Sequence, residues 1–135
     1  GTLVQSGAWT MSDLNGLGNE IANAMLDYAF FGKNLWASLH SASPTSVGDA
    51  TTEVVGGMYI RSSVQFARAG SKMTYNTLPM VWMNLPECQV THVAIWDKQT
   101  LGTMLVYCQV SRQSAITVAA GDSLRYEIGD YVVRL

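Results

Sequence analysis

His40 and His92 are the side chains of this sequence best placed to move a proton near neutral pH or to hold a metal, because imidazole is the group whose ordinary pKa lies there. Asp97 follows His92 by five residues, Asp122 and Asp130 stand in turn-like segments, and serines are plentiful. A zinc site would need the helical His-Glu-x-x-His arrangement or paired cysteine ligands, and neither is written here. A serine hydrolase would expose its nucleophile on a Gly-x-Ser-x-Gly elbow, which the chain lacks; Ser6-Gly7 and Ser111 to Ser114 have no flanking strand and helix to serve instead. Glu53, Glu87 and Glu127 give no reason to face one another across a cleft, as a glycosidase requires.

Asp13 to Gly18 imitates the first half of a calcium loop but has Leu17 at its fifth position and Ala24 at its twelfth. Gly16-x-Gly18 imitates a phosphate-binding turn, with Ile21 where the third glycine belongs. No catalytic set, metal or cofactor is nominated, and the chain reads as a non-enzyme. Each histidine reads as a structural group hydrogen-bonded at a strand end beside hydroxyl residues. A hydrolase built on His40 or His92 would instead show a cleft where a histidine meets a carboxylate and a nucleophile.

The elements that would position these residues follow from composition and periodicity. The 135 residues suffice for one domain with its own core. Only 13% are charged, against roughly 25% in an ordinary soluble domain, and 48% are hydrophobic. So little charge fits a subunit covered by neighbours, which points to a homo-oligomer. A net charge of -2 with scattered Lys and Arg argues against direct nucleic-acid binding. No apolar run approaches the ~18 residues of a membrane span. Cys88 and Cys108, each followed by Gln-Val, read as small core hydrophobes within strands and not as a bridge.

Residues 1–11 read as an N-terminal arm and 12–135 as one domain. In the arm, Leu3, Val4 and Trp9 are apolar anchors outside any core pattern and mark it as an assembly element. Ser12 is a candidate N-cap for a helix whose face is Leu14, Leu17, Ile21, Met25 and Leu26, ending near Gly32, although Gly16 and Gly18 weaken its first turns. Period 2 then takes over. Strands are expected at 35–40, 59–67, 72–76, 80–84, 90–96, 104–110, 115–118, 123–128 and 131–135, with a Ser/Thr/Gly/Pro loop at 41–52. Short strands between turns predict a mainly β fold, an antiparallel β-sandwich of jelly-roll type with one N-terminal α-helix. Trp36, Trp82 and Trp96 are expected to fill its core more readily than to stack on sugars.

Three blocks stand in fixed order: Glu53-x-x-Gly56-Gly57-x-Tyr59-x-Arg61, then Val90-Thr91-His92-Val93-Ala94-Ile95-Trp96-Asp97, then Gly121-Asp122 and Gly129-Asp130 bracketing the last strands. With the Leu39-His40-x-Ala42-x-Pro44 segment and Asn76, their order and spacing resemble a small family of tailed-bacteriophage virion proteins labelled tail-fibre, minor tail or head-decoration protein. Met58 and Ile60 stand where that pattern more usually has small residues. The resemblance implies scaffold and not a reaction centre: Gly56 and Gly57 would allow special backbone conformations, Tyr59 and Arg61 would bridge sheet and loop, and Asp97 would cap the turn toward Gly102. It implies a structural component of the virion, made in the bacterial host cytoplasm, that acts by subunit assembly with other virion proteins, in the tail or as a capsid decoration. The alternative is a carbohydrate- or receptor-binding module of a phage tail.

Overall fold

The computed structural model describes residues 16–110 and 115–135. It is mainly β with antiparallel pairing and a single helix among the described residues, as expected. Helix α1 spans Asn19–Phe30. The strands are β1 (Leu35–His40), β2 (Ser62–Val64), β3 (Met73–Tyr75), β4 (Met80–Trp82), β5 (Cys88–Val90), β6 (His92–Trp96), β7 (Met104–Gln109), β8 (Ile116–Val118), β9 (Leu124–Tyr126) and β10 (Val132–Arg134). One four-stranded sheet runs in the order β2-β1-β6-β7, and three two-stranded ladders pair β10 with β3, β4 with β9 and β5 with β8.

The layer opposite the sheet is therefore divided, where a sandwich would have one continuous second sheet. Its strands are three residues long and are separated by turns with positive φ at Asn84, Gly121 and Gly129, which end each ladder before it can extend. The expected strand 90–96 is likewise split. Thr91 donates its N–H to the His40 carbonyl while its own carbonyl accepts from Val110 N–H, a local departure from the alternation of a regular ladder. β5 consequently leaves for its own ladder while β6 enters the sheet.

A single core lies between the layers. Leu35, Ala37 and Leu39 of β1, Val93 and Ile95 of β6, and Val64 face Met80, Trp82, Val90, Val118 and Tyr131, all buried. Polar atoms within this core act as pins. Trp82 donates its indole N–H to Ala37 O at 3.0 Å, tying β4 to β1, and Tyr131 donates its hydroxyl to Val93 O at 3.1 Å, tying the final segment to β6.

The helix packs on a different face from the one its pattern suggests. Ala22, Leu26 and Phe30 are buried, whereas Ile21 and Met25 are 59% and 50% exposed. Spacing of four and the small Ala22 let the helix approach closely, and Phe30 meets Phe66 with ring centroids 4.9 Å apart. Asn23 and Asp27 then accept N–H groups from Lys72 and Ala69, which fixes the helix azimuth. Gly18 is the N-cap; the expected cap Ser12 and the face residue Leu14 lie outside the described residues. Of the cysteines, Cys88 is half-buried and Cys108 is exposed, so Cys108 is not the core group that its strand pattern suggests; both are free thiols.

Asn76 closes the C-terminal half. Fully buried, its side chain accepts from Gly129 N–H (3.1 Å) and Tyr131 N–H (2.9 Å) and donates to Leu78 O (2.8 Å) and Glu127 O (3.0 Å). An amide has two donors and two acceptor sites, so all four are used. Asn76→Ala should lower unfolding free energy by about 3 kcal/mol, since buried N–H and C=O groups lose their partners. A urea titration of both proteins, with the slope unchanged and the midpoint lowered, checks this.

Candidate functional site

The face of the four-stranded sheet turned away from the core is where the singled-out residues gather. Trp36, Ser38 and His40 of β1 lie opposite Trp96, Ala94 and His92 of β6, and Ser38, His40, Ala94 and Trp96 are buried. This face is covered by the segments 41–61 and 97–103, which must satisfy its polar groups or leave them orphaned at a cost of about 1–3 kcal/mol each.

The first part of that satisfaction is a directed chain of hydrogen bonds. Thr52 Oγ1 donates to Asp49 O at 2.9 Å, so it accepts from His40 Nδ1 at 2.7 Å, which assigns the proton to Nδ1. Nε2 is then an acceptor for the Ser38 hydroxyl at 2.6 Å, and Ser38 Oγ in turn accepts the Trp96 indole N–H at 2.7 Å. The Ser38 hydroxyl also lies 3.4 Å from Ala94 O, a longer contact than the one to His40. Burial holds the His40 pKa down to about 4, with nearby Arg61 and His92 acting in the same direction and Glu53 and Asp49 against it.

The second part is ionic. Glu53 receives two hydrogen bonds from Arg61, Nε to Oε2 and Nη2 to Oε1, both 3.0 Å. The Tyr59 hydroxyl donates to Glu53 Oε2 and accepts Leu39 N–H at 3.0 Å, filling the edge of β1 beyond β2. Burial, then the bond to Glu53, raises the Tyr59 pKa far above that of an ordinary phenol. Arg61, 5% exposed, uses Nη1 for the carbonyls of Lys98 (2.9 Å) and Leu101 (2.8 Å) and lies over the Trp96 ring at 4.1 Å. Trp96 thus belongs to both parts, and the two close into one circuit through Leu39.

Glycines and carboxylates shape the loops that carry this circuit. Asp97 Oδ1 accepts Thr103 N–H at 2.7 Å, and Gly102, at φ +82, sits so close that an added Cβ would lie 2.5 Å from that oxygen. Gly57, at φ +54, lies against the backbone of Asn84 and Pro86, while the neighbouring Gly56 has φ +116. At the other end of the molecule, Asp122 and Asp130 accept the N–H groups of Ala119 and Glu127, and Gly121 and Gly129 have positive φ. These two Gly-Asp turns do not join the circuit; they end β8 and β9.

Chemically the arrangement is a closed one. Ser38 and His40 have the contact of a nucleophile and its base, yet both are fully buried, the third member of the series is a threonine, and the hydroxyl already serves Trp96. His92, partly exposed and bonded to Thr91 Oγ1 at 2.7 Å, pairs across the ladder with His40 but touches no carboxylate side chain. Among the described residues no three metal-capable side chains converge. Ser38 and Thr52 escaped sequence reasoning as functional positions, since hydroxyls are common throughout the chain; Asn76, named with the family pattern, lies outside the circuit. Leu3, Val4 and Trp9 lie outside the described residues.

Next to the circuit, a cleft of about 350 Å³ is lined by Val54, Val55, Ile60 and Leu101 above Glu53 and Arg61. Val55, Ile60 and Leu101 are 87%, 65% and 82% exposed. These three side chains leave apolar surface at the rim of the cleft.

Two measurements bear on the circuit. The His40 pKa is lower folded than the ordinary 6.5, so its neutral-state contribution is complete above about pH 6.5 and is lost as pH falls toward 4, on the order of 3 kcal/mol in all. Urea midpoints at pH 7.5 and 4.5 should differ accordingly, and the difference should shrink in His40→Gln. Arg61→Lys should cost roughly 2 kcal/mol at constant charge, because an ammonium cannot hold the carboxylate bidentately and reach both loop carbonyls.

Comparison with known protein families gives a match over most of the chain. The family described as podophage GP4 fiber I protein gp80 matches residues 12–134. No curated protein matches the chain.

Proposed function

The chain belongs to the podophage GP4 fiber I protein gp80 family, and from that premise we propose that it is a fibre subunit that works by assembly and not by catalysis. As a member of a tailed-phage virion family, it is a tail structural component whose place is in the particle. The observation that carries the assembly reading is the combination of a sealed polar interior with an apolar exterior. His40 and the one buried ion pair among the described residues are consumed by holding loops, while His92 bonds only to the neighbouring Thr91 hydroxyl. Meanwhile Ile21, Met25, Val55, Ile60 and Leu101 are all at least half exposed. Fibre placement has the support of the family description; a capsid-decoration role has no comparable support here.

The partners of this reading are other virion proteins and further copies of the chain. The N-terminal arm, through Leu3, Val4 and Trp9, is the proposed assembly element, because those apolar groups are too few to form a core of their own. Deleting residues 1–10 should leave the thermal transition within about 2 °C of the full chain and weaken oligomerisation or particle incorporation. Native mass spectrometry and calorimetry decide: unchanged assembly, or global unfolding, removes the arm from this role.

Carbohydrate or receptor binding is the weaker reading. Trp82 and Trp96 are buried and hydrogen-bonded, and Trp36 is partly buried, which leaves little tryptophan surface among the described residues for a sugar to stack on.

A further inference from the structure

The four-stranded sheet ends in β7, and its outer side is unpaired among the described residues. Which groups point outward follows from parity. Leu39 turns its N–H and carbonyl toward Tyr59 and Val54, away from β6, so Ser38 and His40 bond to Ala94 and His92. Val93 and Ile95 must then bond to Cys108 and Val106, and the N–H and C=O of Tyr107 and Gln109 project away from the sheet. The extra residue at the other end, where Val106 opposes Ile95 but Met104 opposes Trp96, bends only the start of β7.

Sheet edges in monomers are usually guarded by Lys, Pro or inward charge. β7 has none of these, and Gln99 to Ser111 contains no charged residue. Beside it the ladders leave an opening of about 410 Å³ bounded by Cys108, Ile116, Tyr126 and Tyr131, with Arg125 and Asp130 also on its wall, so the described second layer lines the core side of this edge without filling it.

We propose that β7 pairs antiparallel with β7 of a second copy across a two-fold axis, joining two four-stranded sheets into one. Self-pairing favours a second copy over another partner because a two-fold places residues near the axis against their own mates, where any charge would meet its like; this strand carries none. The regular part of the edge fixes the register. Tyr107 of each copy bonds with Gln109 of the other, giving about four hydrogen bonds, and Cys108 faces its own mate in a non-bonded pair with Cα atoms about 4.5 Å apart. A two-fold normal to the sheet keeps faces alike, so Val106 and Cys108 of the second copy fall over the 410 Å³ opening. This pairing rests on the assembly reading but not on the N-terminal arm.

The test is thiol cross-linking of the full chain with a short bismaleimide, read by denaturing gel, alongside sedimentation equilibrium. Cross-linked dimer should form in the unmodified chain and in Cys88→Ser and vanish in Cys108→Ser. Gln109→Pro removes an outward N–H that the parent sheet does not use, and Cys108→Lys sets like charges face to face; each should raise the dimer dissociation constant by at least about tenfold with an unchanged circular dichroism spectrum. If Gln109→Pro fails to fold, Cys108→Lys and the cross-link decide. A chain that stays monomeric, a cross-link through Cys88, or self-association indifferent to the folded variants overturns the pairing. If such a chain still enters particles, the assembly reading stands while this one falls.

Discussion

A strand buried on both faces can keep polar side chains only if something else in the molecule answers each of their hydrogen bonds. β1 is such a strand, with Ser38 and His40 fully buried on the face opposite Leu35, Ala37 and Leu39. Everything on that side of the sheet follows from the requirement. Thr52 must be held by the short 3₁₀ turn Ala50–Thr52, Asp49 must cap that turn, and Trp96 must turn its indole inward. Arg61 then finds a flat ring to lie on and two carbonyls within reach. The loops are long and rich in small residues, yet they are as determined as the strands.

Much of the fold was legible because strand alternation and turn chemistry are local. Leu35 to His40 emerges at its expected bounds, and most other strands appear inside theirs, shortened. The helix register was not legible. Ile21 and Met25 compete with Ala22 and Phe30 on apolarity, and the winner was decided by Asn23 and Asp27 meeting the backbone of Ala69 and Lys72, a long-range fact. The division of the second layer was hidden for a similar reason: three-residue ladders leave no period to read. For the candidate site, Glu53, Tyr59, Arg61, Trp96 and Asp97 could be singled out from their blocks, but their convergence with Ser38 and Thr52 needed the pairing of β1 with β6.

The same geometry explains why motif searching for an enzyme finds suggestive pieces and no whole. A serine against a histidine, a carboxylate against an arginine and a tyrosine near both are ordinary catalytic parts. Here each of these groups is engaged in hydrogen bonds that hold its neighbours in place. In this chain those parts hold the loops over the sheet.

One property of the circuit reaches past folding. Of its links only Glu53–Arg61 joins two opposite formal charges, and Arg61 is almost wholly shielded from water; the others join a charged group to a neutral one, or two neutral groups. Dissolved ions screen exposed charges over about 8–10 Å at ordinary strength, but they gain little purchase on pairs kept from solvent. The loops that this circuit holds therefore keep one shape in dilute and in salty surroundings, neither loosening in brine nor tightening in fresh water.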